Sequence, residues 1–515
     1  MISTSPQLVS RLFFMSSKPE QIADPIETFD YADAEIVIGL VCAVGTDYGP
    51  VRDFLADTLL RYGYRTKVVR ISDSIPKFTD YPLRESPEIE RIESRMDAGN
   101  LVCRESGRND IWALAAIAAI NSSREREKVC ENFHLQKPLP RTATILLTLK
   151  RPEEVKTLRR IYGDGFFLVG LFATEKERID YLIQQNAPLN ETIALIKRDS
   201  AEDDPHGQQT RKTFHLSDVF VSLKDQAYRA ELERFFDLVF SDPLTTPTQH
   251  ENAMFLAYAS SLRSGQLGRQ VGAAIASKSG DIIALGCNDV PKPGGGLYWP
   301  GKEDGRDGVL GFDTNDKQRD KIVDLLINRL PKELRENSEQ QFRASFREIL
   351  DITEYGRAVH AEMDSLLCSA RSGVSPVGAN LYTTTFPCHN CTRHIIAAGI
   401  ERVFYIEPYA KSRAEELHED AIVVEEKGRE DKQTRKRRVP FTPFVGVGPR
   451  RYFDLFSLTL SRGFELDRKR DGKAIKFSRQ GAFSRVPMSP FSYIQKEAIA
   501  IKELDSLPKQ LEIFE

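Results

Sequence analysis

The chain has 515 residues, more than one ordinary hydrophobic core organises, so two or three domains are expected. Its composition, 41% hydrophobic and 29% charged, is that of a globular protein, and a formal net charge of -3 gives no global basic field to attract a polynucleotide. No apolar run approaches the roughly 20 residues of a membrane span. Met1 to Ser17 lacks a signal-peptide core and the seven cysteines form no disulfide framework, so a cytoplasmic location is expected.

Residues 1–30 read as a tail. Glu35 to Cys42 is apolar and β-branched and predicts a strand. Gly45-Thr46-Asp47-Tyr48-Gly49 predicts a turn, and Val51, Phe54, Leu55 and Leu59 have helical spacing behind Pro50. Thr66 to Ile71 predicts the next strand. Such a βαβ unit sets backbone N–H groups at a helix N-terminus, where a phosphate could sit. Gly39, Gly45 and Thr46 are the candidate contacts for a regulatory nucleotide, dTTP or another nucleoside triphosphate. Helices over Arg108–Ile120, Pro152–Ile161 and Glu175–Gln184 alternate with strands over Ala143–Leu149 and Phe166–Phe172. A strand over Val219–Leu223 and a helix over Tyr228–Phe240 follow. This pattern predicts a parallel sheet covered on both faces across 31–245.

The order resembles a P-loop nucleotide or nucleoside-monophosphate kinase. However, no lysine follows the glycines, Asp47 stands at the mouth, and the strand ending at Leu149 runs into Lys150-Arg151 rather than a magnesium-binding acid. A degenerate domain that binds a regulatory nucleotide, or a scaffold that binds nothing, is expected in place of a kinase. The acidic stretch 198–207 reads as a surface loop, and His206 and His215 as solvated or capping residues. Ser241 to Pro247 marks the domain boundary.

In the region 246–420 a helix over Thr248–Leu262 precedes a hairpin, Val271–Ser277 and Asp281–Cys287, around Lys278-Ser279-Gly280. Helical content follows at Lys317–Leu330 and Ser338–Leu350, then a helix over Arg357–Ala370. Next come a strand over Leu381–Thr385, a helix from Pro387-Cys388 to Ala398, and a strand over Arg402–Glu407. The chemistry lies in His360-Ala361-Glu362 and Pro387-Cys388-His389-Asn390-Cys391. One imidazole and two thiolates hold Zn2+ and leave its fourth position to water. The spacing is the zinc nucleobase-deaminase pattern, in which the Glu moves protons and does not ligate. Residues i and i+2 diverge by about 200° along a helix, so His360 and Glu362 share a site only from an exposed helix start. Cys388 and Cys391 share a face, and a helix N-terminus favours their thiolates. The competing arrangement is a structural zinc site closed by His389 or His394.

Val271-Gly272-Ala273, Gly286-Cys287-Asn288 and the two metal motifs resemble the deoxycytidylate deaminase family, over Thr248 to Pro408. With the kinase-like half in front, the chain resembles the bacterial anti-phage dCTP/dCMP deaminases, which pair a degenerate P-loop kinase domain with a deoxycytidylate deaminase domain. The resemblance implies zinc on His360, Cys388 and Cys391, Glu362 as proton shuttle, the Ala361 backbone at the cytosine edge and Asn288 at the sugar. It also implies deamination of dCTP or dCMP, an inhibitory small RNA and a homo-oligomer. Asp289 and the insertion Asp304–Tyr355 depart from the single-domain enzymes. Arg269 is the candidate phosphate contact, with a plain surface charge as its alternative. The other readings are an RNA- or single-stranded-DNA-editing deaminase, which would need a basic, aromatic groove, and a nucleotide-sensing regulator. Toward the end, Thr434–Arg438 is a basic run, either solvated or contacting RNA, a phage-derived signal or a triphosphate. Val439–Val447 predicts a strand and loop. Residues 421–515 are expected to pack on the deaminase.

Overall fold

A computed structural model describes residues 33–507, apart from 125, 131–132, 137, 201, 203, 330–354, 410–411, 426–437, 461–462 and 489. The tail 1–30, the helix expected over 338–350 and the basic residues 434–437 lie outside the described residues.

The first unit alternates strand and helix: β1 (Ile36–Cys42), α1 (Gly49–Arg61), β2 (Arg65–Arg70), α2 (Glu88–Ser106), α3 (Ile111–Ser122), β3 (Thr142–Leu147), α4 (Pro152–Tyr162), β4 (Phe166–Phe172), α5 (Glu175–Gln184), α6 (Leu189–Ser200), β5 (Val219–Ser222) and α7 (Tyr228–Val239). The strands lie in the order β2-β3-β1-β4-β5, and every neighbouring pair is parallel. All seven residues of β1 are buried, as a central strand covered on both faces requires. One face packs on Val51, Leu55 and Leu59 of α1 and Leu232, Phe235 and Phe236 of α7. The other packs on Trp112 and Leu114 of α3 and Val155 and Leu158 of α4.

The second unit contains α8 (Gln249–Ser261), β6 (Gly272–Ala276), β7 (Ile282–Cys287), α9 (Thr314–Arg329), α10 (Ala361–Arg371), β8 (Asn380–Thr385), α11 (His389–Ala397), β9 (Arg402–Glu407), β10 (Ile422–Val424) and β11 (Val439–Pro443). Its sheet runs β10-β11-β9-β8-β6-β7. β6 is antiparallel to β7 and β8, whereas β8, β9, β11 and β10 pair in parallel. Thr248 starts α8 by accepting the Glu251 N–H while Glu251 accepts the Thr248 N–H. Gly272 lets that helix approach the sheet: a Cβ there would fall 1.9 Å from the Ala257 carbonyl oxygen.

The region 421–515 does not pack wholly on the deaminase as expected. β10 and β11 extend the second sheet, but the chain then returns to the first unit. β12 (Gly446–Val447) pairs antiparallel with β5, and Arg451 donates to Asp218 Oδ1 and to the Phe166 carbonyl. The helix α12 (Pro490–Asp505) covers α3, and Tyr493, Ala500 and Leu504 join that core. The physical reason is the surface of α3, which is buried along almost its whole circumference and leaves an apolar face for a helix to cover. Buried Arg124 fastens the return by pairing with Glu497 of α12 and with Glu35. The units also meet directly, through Phe220 against Phe444 and Met254.

Candidate active site

Both metal motifs lie at helix starts entered from extended backbone. His360 immediately precedes α10 at ψ 154 and Cys388 precedes α11 at ψ 166. A side chain at this half-turn projects past the helix end instead of along its flank, so His360 and Glu362 converge although they are two residues apart. The His360 carbonyl accepts the Asp364 N–H at 2.8 Å and closes the first turn. Cys388 Sγ accepts the Cys391 N–H at 3.4 Å, which folds the two thiols together. Gly286 in β7 makes the approach of α10 sterically feasible, because a Cβ there would fall 2.3 Å from the Ala361 carbonyl oxygen.

His360 Nδ1 lies 3.3 Å from Cys388 Sγ and 3.5 Å from Cys391 Sγ. Ligand atoms of all three residues lie within 4.8 Å of one another. Tetrahedral zinc with bonds of about 2.0–2.3 Å separates its N and S ligands by about 3.5 Å, so the donor set and its spacing fit the ion. Neither His389 nor His394 joins this group, and among the described residues it is the cluster of metal-binding size that occurs. The closed structural site weighed from the sequence is therefore not formed.

Glu362 stands beside the ligands and is 4% exposed. Its Oε2 accepts from Cys391 Sγ at 3.5 Å. Burial raises the Glu362 carboxyl above its ordinary range, and the neighbouring Cys388 adds to the shift. Hydrogen bonding from Cys391, then from His360, lowers the Cys388 thiol to about 4. The local polarity thus favours thiolate at Cys388, the form in which a thiol ligates a metal.

A cavity of about 240 Å³ opens over these groups. Ala361 lines it together with Val271, Asn288, Arg269, Thr385 and Phe386. Asn288 is anchored: its Oδ1 accepts the Val271 N–H at 2.7 Å and its Nδ2 donates to the Arg269 carbonyl at 2.6 Å. One N–H and one lone pair of that amide remain for a ligand. Arg269 sits at the rim, paired with Glu407 at 3.1 Å and 5.6 Å from the Tyr409 ring centroid. Gln266, Asp313, Asn315 and Tyr409 also line the cavity, and sequence reasoning missed all four. Among the described residues, Gln266 Oε1 is buried without a partner. Asp313 and Asn315 come from the insertion before α10. No spacing signal in the sequence connects any of the four to the metal motifs.

In the first unit, Gly45 and Thr46 line a separate cavity of about 390 Å³. Gly45 has φ +81 and a Cβ there would fall 2.7 Å from the Arg178 carbonyl oxygen, so glycine is required by the turn itself. Gly39 is not a cavity residue: it lies mid-strand in β1, where a Cβ would fall 2.6 Å from Leu149 Cδ1. Its role is close packing. Two backbone donors of the loop are already taken by carboxylates. Asp199 Oδ2 accepts the Val44 N–H at 2.8 Å and Asp47 Oδ1 accepts the Gly49 N–H at 3.2 Å. Lys150 Nζ donates to the Cys42 carbonyl at 2.9 Å and to Asp199 Oδ1 at 2.7 Å. Asp199 is fully buried, a correction to the surface loop expected there. His215 also departs from expectation: it is half-buried, its Nδ1 has no partner among the described residues, and burial lowers its pKa.

The family model described as "Cytidine and deoxycytidylate deaminase zinc-binding region" matches residues 247–407. The second unit thus carries a deoxycytidylate deaminase family domain. ComE operon protein 2 of Bacillus subtilis (strain 168) is 44% identical over 71 residues, covering 14% of this chain and 38% of that protein. The deoxycytidylate deaminase of Enterobacteria phage T4 is 40% identical over 55 residues, covering 11% of this chain and 28% of its own length. A probable deoxycytidylate deaminase of Drosophila melanogaster is 38% identical over 106 residues, covering 20% and 51%. The chain therefore spans about half or less of the length of these curated relatives. A solved structure of dCMP deaminase from the cyanophage S-TIM5, in complex with dCMP and dUMP, is 18% identical with a TM-score of 0.23, covering 39% of this chain and 99% of that one. Among the described residues no helix is long and apolar enough to cross a membrane.

Proposed function

We propose that the protein hydrolytically deaminates free deoxycytidine nucleotides, dCMP or dCTP, to the deoxyuridine nucleotides. The observation that carries this reading is Glu362, buried beside an open His360, Cys388, Cys391 group at the floor of a cavity of about 240 Å³. His360, Cys388 and Cys391 would hold zinc, which when bound supplies a Lewis acid that lowers the pKa of water. Glu362 accepts the proton of the attacking water, delivers it to N3 of the cytosine ring, and assists the departure of ammonia from C4. The Ala361 backbone borders the cytosine edge, Asn288 offers its remaining amide valences to the sugar, and Arg269 meets the phosphate at the rim. Phe386 and Thr385 close the wall and limit access of bulk water.

A single nucleotide in a cavity of this size suits the reading better than a polynucleotide, as does the formal net charge of -3. By the resemblance to the anti-phage enzymes, the activity would drain the dCTP pool of an infected cell. The test is a panel of cytosine nucleosides, nucleotides and single-stranded oligonucleotides incubated with the zinc-loaded full chain, with ammonia release as the readout. Turnover of dCMP or dCTP is expected. Turnover of the oligonucleotides alone would replace this reading with the editing one, and no turnover of any substrate would reject deamination.

A further inference from the structure

Glu407 ends β9 level with Thr385 at the end of β8, and its carbonyl accepts the Phe386 N–H at 2.8 Å. Its backbone is thereby fixed to the strand end that leads into Cys388. Its side chain, 27% exposed, pairs through Oε1 with Arg269 Nη2 at 3.1 Å. The Tyr409 ring centroid lies 5.6 Å from the same guanidinium, and the Arg269 carbonyl accepts from Asn288 Nδ2. Arg269 is therefore held at its backbone and at its side chain, while its guanidinium reaches the rim of the cavity of about 240 Å³.

The charges around this rim are unevenly matched. Among the described residues lining the cavity, Arg269 is the cation outside the metal group. Asp313 is a further carboxylate there, and its Oδ1 accepts the N–H groups of Asn315 and Asp316. Glu407 also lines a second cavity, of about 120 Å³, between the two units, together with Thr385, His215 and Arg450. Among the described residues, Arg269 is the cation that forms an ion pair with it. A guanidinium carries five N–H donors in a fixed fork. With one arm on Glu407, the other donors can still bond a phosphate oxygen, but the positive charge is already matched. Direct hydrogen bonds thus favour a first phosphate, whereas the field of the two carboxylates opposes every charge added beyond it. A phosphate monoester carries about two negative charges near pH 7, and a triphosphate carries more.

We propose that Glu407 is a positioning residue that sets nucleotide specificity: it orients Arg269 toward the substrate's phosphate and, by matching its charge, discriminates against additional phosphates. The inference rests on the reading of this cavity as a deoxycytidine nucleotide site, and binding is measured separately from turnover so that the two can fail independently.

The test is isothermal titration calorimetry of deoxycytidine, dCMP and dCTP with the zinc-loaded full chain carrying Glu362→Ala, which blocks turnover. Glu407→Gln keeps an acceptor for Arg269 and removes the charge. At low salt it should tighten dCMP about threefold and dCTP about tenfold, leave deoxycytidine within about twofold, and steepen the loss of dCTP affinity with added salt. Glu407→Asp, which keeps the charge, should retain the order of affinities of the unaltered chain. With Glu362 intact, Glu407→Gln should lower KM for dCMP at nearly constant kcat, because the phosphate lies away from the reacting carbon. A common factor for all three ligands would make Glu407 merely structural, and a fall in dCTP affinity relative to dCMP would reverse its sign; either result overturns the proposal. Binding in the expected order without turnover would reject deamination alone. Turnover without that order would reject the role of Glu407 alone, and no binding of any of the three would overturn both.

Discussion

The Asp199 carboxylate accepts the Val44 backbone N–H at 2.8 Å, in the turn after β1 where a nucleotide-binding loop would offer that N–H to a phosphate. The same carboxylate accepts from Lys150 Nζ and Thr210 Oγ1. The protein thus supplies its own anion to this loop. Removing it by Asp199→Ala strands a largely buried ammonium and is expected to cost about 3–5 kcal/mol. Asp199→Asn keeps an acceptor for Val44 and should cost less than Asp199→Ala. Urea unfolding of the two variants measures the difference.

Glu362→Ala should keep zinc and lose turnover. The three metal ligands remain, while the proton path between water and the cytosine ring is removed. A fall of at least about 10²–10⁴-fold in kcat is expected, with a metal content per chain equal to that of the wild type by mass spectrometry.

Chelation should lower the thermal midpoint of the wild type. His360 and the two cysteines come from different helix starts, so a shared ion ties α10 to α11, and ligand removal withdraws that linkage. The zinc-dependent rise in the midpoint should vanish in Cys391→Ala. Equal midpoints for loaded and stripped wild type would mean that the three residues do not bind the metal together.

Gly286→Ala probes the approach of α10. The added methyl meets the Ala361 carbonyl oxygen and the Ser365 nitrogen, so the helix start must move. A stability loss of about 1–3 kcal/mol is expected from the overpacking. Zinc affinity should fall as well, because His360 moves with the helix.

Glu231 gives the chain a pH-dependent stability. Burial raises its carboxyl to about 7 from an ordinary 4.5, opposed by the Ser222 N–H bonded to it. The folded state therefore holds this proton more tightly than the unfolded one. Its favourable contribution is complete below about 4.5 and is lost as pH rises to about 7. Partial exposure limits the change to about 1–2 kcal/mol. Glu231→Gln should flatten that part of the stability profile in urea titrations at stepped pH.

Elements whose cues are local were legible in the sequence. β4 and β9 are apolar, β-rich runs bounded by breaks, and α5 forms over the expected Glu175–Gln184, entered through a reciprocal Thr174–Glu177 exchange. The metal group was legible for the same reason: two short motifs at two helix starts carry it. α2 was not foreseen, because its charged residues hide the periodicity of Ile89, Met96 and Cys103. Nor was the burial of Asp199, since its partners Lys150, Val44 and Thr210 come from three other segments. Gly39 was misread because a glycine packed inside a strand and one that opens a loop look alike in sequence. Gln266 and Tyr409 reach the cavity only through the closure of the second sheet.

The return of the chain to the first unit has a consequence for biosynthesis. The second unit is laid down continuously from Gln249 to Pro443, while β12 and α12 come after it. A nascent chain leaving the ribosome can therefore finish the second unit first. The older unit waits, with the apolar side of α3 and the edge of β5 uncovered, until Asp505 emerges several seconds later at about 5–20 residues per second. During that interval the unfinished unit is the part of the molecule that a chaperone would hold.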